Sequence, residues 1–368
     1  MKILYLYRSI VEAATVFIAI VMGKCVRHPN IKQINMIRKI LILIFTLIPV
    51  LGFSVDIDTI TNKIIVLNEG YDRVSAIKTS EGIVIIDTHK STADMSRMKK
   101  LIVNHFNDSN FLYVINTHPC LEHINGNSLF PDAQKIAHSN FANSEKPDST
   151  DNRIGFINKQ LPKLKEELAT TTDTIRHGEL RNQIDYLMAM RDDFFKSALP
   201  PDLSFSDRLS VKVGDLTFEM VYIGEGAHGN SSIFIYIPEE KTLFTGSALA
   251  MPPIIYKTGG WISKHDVDRW VTVLDEFIGK PDLENIVASH VKYYTKSNLI
   301  EMRDYYYLIS STIRENQTNG LTKDETFAKL DYNLINKQFE IFDDNEKSIE
   351  RHENNITILW DYYKNTSP

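Results

Sequence analysis

The sequence has few cysteines: only Cys25 and Cys120 occur in 368 residues. Cys25 belongs to an N-terminal segment that we predict to be removed, so the remaining chain carries one thiol and cannot form an internal disulfide. In an oxidising compartment a single cysteine is a liability unless it is buried or bound to metal. The scarcity of cysteine excludes a disulfide-stabilised fold and draws attention to Cys120.

Positive charge is scarce outside the N-terminus. The chain carries a net charge of −6, and residues 1–54 hold seven Lys/Arg and one acid, a net of +6, so the remainder carries −12. A chain this acidic has no electrostatic footprint for nucleic acid and should not adhere to anionic lipid. There is no low-complexity tract and no internal repeat. A composition of 43% hydrophobic and 24% charged residues predicts one large globular domain or two small ones.

Long hydrophobic runs are confined to residues 1–54, which contain AATVFIAIVMG and ILILIFTLIPVLGF. Both are shorter than the ~20 residues of a membrane-spanning helix. The second follows two basic residues and ends at the small residues Gly52 and Ser54, as secretory signal peptides do. We therefore predict cleavage near Ser54 and an exported protein, periplasmic or secreted, without a stable membrane anchor afterwards. An uncleaved anchor is the alternative, and Met36 is an alternative start.

From residue 63 the pattern changes to short β-branched runs separated by Gly, Asp and Glu, which predict strands. Residues 92–106 have the apolar spacing of an amphipathic helix, and the next run, FLYVINT, leads directly to His118. Further strands and helices follow up to residue 320. Two clusters of strands, each followed by helices, predict two packed sheets covered by helices.

Two segments depart from this alternation. Residues 151–197 are charged and helical in period, which predicts a helical hairpin inserted into the domain. We expect it to lie on the surface near the mouth of the site and to contribute little to the core. The pattern of residues 321–368 predicts a helical C-terminal extension that docks onto the rest of the domain through aromatic and aliphatic side chains.

Side chains that ligate metals stand at the ends of several predicted strands. Imidazole and thiolate suit zinc, and a carboxylate can join them. A single histidine at any of these places is more often structural, but these segments, each after a strand, together predict a metal site. The candidate ligands are His118, Cys120, Glu122, His123, His228, Ser247 and His290.

These segments resemble those of the metallo-β-lactamase superfamily. The family motif T-H-x-H-x-D-H is matched by THPCLEH at residues 117–123, and IPEEKTLFTGS and Ser289–His290 match later family segments. IVIIDT at residues 83–88 matches the strand before the first helix. The resemblance implies an α/β fold, the four-layer αββα sandwich, over residues 55–320, with a helical insertion and a helical C-terminal tail.

The resemblance also implies a two-metal site with three altered ligands: Cys120 replaces a histidine, Glu122 an aspartate and Ser247 the bridging aspartate. The Cys120 thiolate and the Glu122 carboxylate supply two negative charges, as the two aspartates of the family do. Here these charges are shifted toward the first ion. We therefore expect one zinc held tightly by His118, Cys120 and His228. A second, weaker site would use Glu122, His123 and His290. In the family the carboxylate at the position of Glu122 also orients the attacking water, a catalytic role.

Two functions remain open. One is a zinc-dependent hydrolase that uses metal-activated water on a small-molecule ester, thioester, lactone or amide. The other is a catalytically weak or inactive member of the family that binds a ligand or partner. Tyr256 and Trp261 are candidates to line a substrate groove, and His89 to lie near its mouth. The other histidines, His265 and His352 among them, are expected to be solvated. The sequence does not specify an oligomeric state.

Overall fold

The structure, a computed structural model, describes residues 55–141, 153–197, 200–257, 262–290, 293–343 and 345–366. The predicted signal segment and Trp261 lie outside the described residues. None of the helices within these ranges is long and apolar enough to cross a membrane.

Within the described residues, seven strands form the first sheet, and they lie side by side in chain order. The first four pair antiparallel and the rest continue in parallel. Because parallel strands end at the same edge, the segments after them are brought close together. The strands are β1 (Asp56–Thr59), β2 (Ile64–Glu69), β3 (Asp72–Lys78), β4 (Ile83–Ile86), β5 (Phe111–Ile115), β6 (Gln134–His138) and β7 (Leu203–Phe205).

Five strands form the second sheet, in the order β12-β11-β10-β9-β8. Only β11 and β12 pair in parallel. All five were predicted from their apolar runs, whereas the short strands β1, β6 and β7 were not. The bounds are β8 (Arg208–Val213), β9 (Leu216–Tyr222), β10 (Ile233–Ile237), β11 (Thr242–Gly246) and β12 (Asn285–Ala288).

Helices cover the outer faces of both sheets. The first begins after Ser91, whose side chain accepts a hydrogen bond from the Asp94 N–H, and ends at Asn107 in the left-handed conformation. The helices are α1 (Thr92–Phe106), α2 (Leu121–Ile124), α3 (Arg153–Thr170), α4 (Thr174–Ser197), α5 (Val267–Ile278), α6 (Lys296–Thr318), α7 (Lys323–Lys329), α8 (Tyr332–Ile335) and α9 (Glu346–Thr366).

The core consists of three apolar layers. Val66 and Ile86 of the first sheet share the central layer with Phe218 and Ile235 of the second. The three buried side chains of α1 fill the outer face of the first sheet, and each stabilises the fold by roughly 1.5–3 kcal/mol. Helices α5 and α6 cover the second sheet. The predicted four-layer αββα sandwich is therefore confirmed.

The C-terminal helices pack into the core of the second sheet. Four of the side chains predicted to dock, Leu330, Phe339, Phe342 and Trp360, are buried there with α6, and the fifth, Phe327, is partly buried against them. His265 and His352 are also buried, so the expectation that they are solvated is wrong. The ring of His352 is held between the Tyr305 hydroxyl and the Leu330 carbonyl oxygen.

The predicted hairpin is formed by α3 and α4, and it packs against the ligand motif. Leu121 and Ile124 of α2 are buried in its apolar core. At the end of α4, Ser197 Oγ donates a 2.7 Å hydrogen bond to the Asn125 carbonyl oxygen, and Asn125 Nδ2 donates to the Met190 carbonyl oxygen. The expectation that the hairpin contributes little to the core is wrong, because it covers the helix that carries the ligand motif.

Candidate metal centre

The candidate ligands come from both sheets. After β5 the chain passes through Asn116 to His118 and then enters α2, whose N-cap is Cys120 and whose single turn carries Glu122 and His123. The second sheet supplies the other ligands from three connections. His228 follows β9, Ser247 follows β11 and His290 follows β12.

His118, Cys120 and His228 form the first group, with one ligand atom of each lying within 4.8 Å of the others. Cys120 Sγ lies 3.7 Å from His228 Nε2, and the rings of His118 and His228 meet edge to face at 4.5 Å. His118 Nδ1 is hydrogen-bonded to Thr117 Oγ1 at 3.0 Å. His118 Nε2 is buried and has no hydrogen-bond partner among the described residues.

Glu122, His123 and His290 form the second group under the same distance limit. The two Nε2 atoms of His123 and His290 lie 3.2 Å apart. The rings of His118 and His123 are 4.1 Å apart, so the two groups adjoin. Ser247 Oγ lies 3.1 Å from His123 Nε2, which places this hydroxyl beside a ligand atom of the second group.

One separation in each group matches the spacing of zinc ligands. Zn–N bonds of about 2.0–2.1 Å at a tetrahedral angle put two nitrogens about 3.3 Å apart, and a Zn–S bond of about 2.3 Å puts sulfur about 3.6 Å from nitrogen. The His123–His290 and Cys120–His228 separations are 3.2 and 3.7 Å. Together with the unpartnered nitrogen of His118, these distances show that the residues fit a metal ion.

Protonation favours ligation at His118. Burial, together with the neighbouring histidines, lowers the pKa of His118 well below its usual value, so its imidazole is neutral. A neutral imidazole is the form that binds metal. At His123 burial alone would lower the pKa, but the charge and hydrogen bond of Asp87 raise it.

Asp87 is hydrogen-bonded to residues that follow β5 and β12, next to the ligand groups. It follows β4 in the left-handed conformation, with φ of 59°. It accepts hydrogen bonds of 2.8 Å from the Thr117 N–H and from Thr117 Oγ1, and its Oδ2 lies 2.8 Å from His123 Nδ1. Ser289 Oγ donates to it at 3.3 Å. A carboxylate at Nδ1 directs Nε2 of His123 toward a metal.

A third group of ligand-type residues, Glu69, His89 and Asp94, lies beside α1. One Arg97 nitrogen contacts Glu69 Oε1 at 2.5 Å and Asp94 Oδ1 at 2.6 Å, so this group is an ion-pair network whose cation is already present. His89 is fully buried here, so it does not open to the mouth of the site.

Tyr256, one of the two predicted groove residues, lies beside the first group. The ring of Tyr256 meets that of His228 edge to face at 4.8 Å. Burial, with the charge of Cys120 next in importance, raises the pKa of this phenol far above its usual value, so it remains a neutral hydroxyl. Sequence reasoning missed the supporting role of Asp87, although its position at the end of the apolar run IVII was a signal.

Comparisons with known proteins identify the family. The pattern of the metallo-beta-lactamase superfamily matches residues 71–290. Because this match covers more than half of the chain, the protein belongs to the metallo-beta-lactamase superfamily. A search of curated protein sequences finds no match.

Two solved structures are similar to this chain. The metallo-beta-lactamase from Pontibacter korlensis matches with a TM-score of 0.45 and 14% identity, over 69% of this chain and 99% of that one. The stereoselective inverting sec-alkylsulfatase Pisa1 from Pseudomonas sp. matches with a TM-score of 0.58 and 15% identity, over 84% of this chain. This chain spans 50% of the length of that sulfatase.

Proposed function

We propose that the protein is a zinc-dependent hydrolase with two unequal metal positions. The observation that supports this most directly is the pair of ligand separations, 3.7 Å between Cys120 Sγ and His228 Nε2 and 3.2 Å between His123 Nε2 and His290 Nε2. Both have the size of an edge of a tetrahedral zinc site. A decaying site is under no constraint to keep four ligand-type side chains at such distances, or six within 4.8 Å of one another in two groups.

The two groups differ in their charge. His118, Cys120 and His228 provide a thiolate with two neutral imidazoles, which suits one tightly bound zinc. Glu122, His123 and His290 offer a carboxylate, but the neutral Ser247 hydroxyl stands where the family has a bridging aspartate. The second position is therefore the weaker one.

Zinc, when bound, supplies a Lewis acid that activates water and polarises a carbonyl or similar group. The chain supplies the other parts of the reaction. Glu122 is a buried member of the second group, where its carboxylate can orient water and accept a proton. Asp87 fixes the ring of His123. Tyr256, whose ring contacts that of His228, is the candidate to hold a substrate oxygen.

The substrate class we propose is a small ester, thioester, lactone or amide. The likeness to the sec-alkylsulfatase adds an alkyl sulfate ester to the panel that should be tried. The second candidate function is a ligand-binding protein without turnover, and the three altered ligands, Cys120, Glu122 and Ser247, support it.

Metal analysis of the purified protein, followed by a substrate panel, separates these functions. We expect about one zinc per chain after dialysis, and a second zinc only when metal is in excess. Hydrolysis that disappears on chelation and returns with zinc supports the enzyme. Bound zinc without hydrolysis of any panel member supports the binding protein. Absence of zinc after metal is supplied rejects the zinc-dependent hydrolase and leaves the ligand-binding protein.

We also propose that the protein is exported to the periplasm or secreted, because of the basic start and apolar run that end near Ser54. N-terminal sequencing of protein from its native host should find a mature chain that begins near residue 55. A membrane-embedded chain that retains the apolar run would contradict this proposal.

A further inference from the structure

The turn between β2 and β3 contacts His290 from outside the ligand set. The ring of Tyr71 stacks on the imidazole of His290, with centroids 4.7 Å apart and planes inclined by 10°. Asp72 Oδ1 lies 3.5 Å from His290 Nδ1, and the Tyr71 carbonyl oxygen lies 3.4 Å from the same nitrogen. Two adjacent residues therefore hold both the face and the Nδ1 edge of this ring.

These contacts decide which nitrogen of His290 faces the centre. Both neighbours of Nδ1 are oxygen acceptors, so the proton of the neutral ring resides on Nδ1. The lone pair then belongs to Nε2, the atom that lies 3.2 Å from His123 Nε2. A carboxylate behind a histidine also makes the ring a stronger metal ligand.

Asp72 is itself held in place. Its side chain is 5% exposed, and its Oδ2 lies 2.6 Å from Lys90 Nζ and 3.8 Å from His89 Nε2. Its backbone is the first residue of β3 and pairs with Glu69 of β2. A carboxylate fixed by a strand and an ammonium group can impose an orientation on a neighbouring ring.

We propose that Tyr71 and Asp72 are positioning residues that orient His290 for the second metal ion. This inference rests on the proposed function, because it assumes that His290 ligates zinc. It assigns control of the weaker site to a turn about 220 residues away along the sequence. Tyr71 is 62% exposed, so this control reaches the surface, where an approaching substrate can contact it.

The orientation can be tested without metal. Long-range 1H–15N correlation spectra of the metal-free protein report the tautomer of each histidine. We expect His290 to carry its proton on Nδ1 in the parent and to become a mixture of tautomers in Asp72→Ala. A parent already in the Nε2–H form, or an Asp72→Ala spectrum identical to that of the parent, would overturn the inference.

Zinc titration tests the consequence for the second site. Relative to the parent, we expect second-site affinity to fall about tenfold to a hundredfold in Asp72→Ala, the range measured for partners of metal-ligating histidines, and by less in Asp72→Asn, which keeps an oxygen acceptor. First-site stoichiometry should remain one. The matched control is Asp132→Asn, an exposed aspartate before β6, which should titrate like the parent.

Substitutions of Tyr71 test the proposal without removing a buried charge. Because it is exposed, Tyr71→Ala should fold normally and weaken the second zinc, whereas Tyr71→Phe, which keeps the stack, should recover most of the affinity. Unchanged second-site affinity in both Tyr71→Ala and Asp72→Ala refutes the positioning role alone and leaves the proposed hydrolase standing. A parent that binds no zinc refutes both.

Discussion

The hydroxyl oxygen of Ser247 lies 3.1 Å from Nε2 of His123, a candidate ligand atom of the second group. A serine here donates or accepts a hydrogen bond but brings no charge, so it is a weak partner for a divalent ion.

Ser247→Asp should strengthen the second site. The new carboxylate adds an anionic ligand beside His123, and we expect second-site affinity to rise by about tenfold, roughly 1.4 kcal/mol. Ser247→Asn adds similar bulk without charge and serves as the control. Competition titration with a zinc-binding dye measures both. Equal gains in the two variants would show that bulk, not charge, was limiting.

Cys120→Ala should remove the tightly bound ion, because it deletes the thiolate of the first group. His290→Ala should leave this ion in place and abolish only the second. His290 is a better comparison than His123, because removing His123 would leave the buried carboxylate of Asp87 without its partner. Elemental analysis after dialysis gives the result. Loss of the tight ion in His290→Ala, with retention in Cys120→Ala, would reverse our assignment.

Gly126→Ala should destabilise the segment after the motif. A Cβ at this position would lie 2.2 Å from the Thr88 carbonyl oxygen and 2.6 Å from Met95 Cγ, so the backbone must shift. We expect a loss of about 1–3 kcal/mol in the free energy of unfolding, with weaker zinc binding. The control is Gly178→Ala, at an exposed helical site with nothing within 4 Å, which should be neutral or stabilising by up to about 1 kcal/mol. Urea unfolding that ranks the two variants in the opposite order would contradict the close approach.

Replacement of residues 153–197 by a short Gly/Ser linker should lower the melting temperature and weaken zinc binding. The deletion exposes Leu121 and Ile124 and breaks the hydrogen bond from Ser197 to the Asn125 carbonyl oxygen. Calorimetry and zinc titration of the shortened protein measure the effect. Unchanged stability would restore the view that the hairpin is a separable insertion.

His265 should make the fold sensitive to acid. It is buried, and burial lowers its pKa to about 4 from 6.5. The unfolded chain therefore binds a proton that the folded chain excludes, so stability is complete above pH 6.5 and falls as the pH drops toward 4. The loss at pH 5 is on the order of 2 kcal/mol.

His265→Phe tests this effect, since the ring packs edge-on against Trp270 and Tyr362 and needs no polar atom there. Urea unfolding at pH 7 and pH 5 should show a smaller difference in the variant than in the parent. His105→Gln, at an exposed histidine, should retain the parent's difference. A variant with the full pH dependence would show that another group is responsible.

The features that could be predicted from the sequence are those that depend on local residue patterns. The apolar period of residues 92–106 matches α1 at both ends, and the ligand motif matches the two groups that the fold brings together. Asp72 escaped notice because its role depends on a residue about 220 positions away, and no local pattern records such a contact. His265 was misjudged because a histidine in polar surroundings in the sequence can still be buried by a helix from the other end of the chain, here α9.

Each ligand group takes two members from the segment after β5 of the first sheet, the loop and α2, and one from a connection of the second sheet. An ion bound at either position would therefore link the two halves of the sandwich, each built on one sheet. Neither half alone keeps three ligands, so fragments and half-folded chains should compete poorly for zinc. Saturating metal should then raise the resistance of the whole protein to unfolding, since the ion is lost when the halves separate.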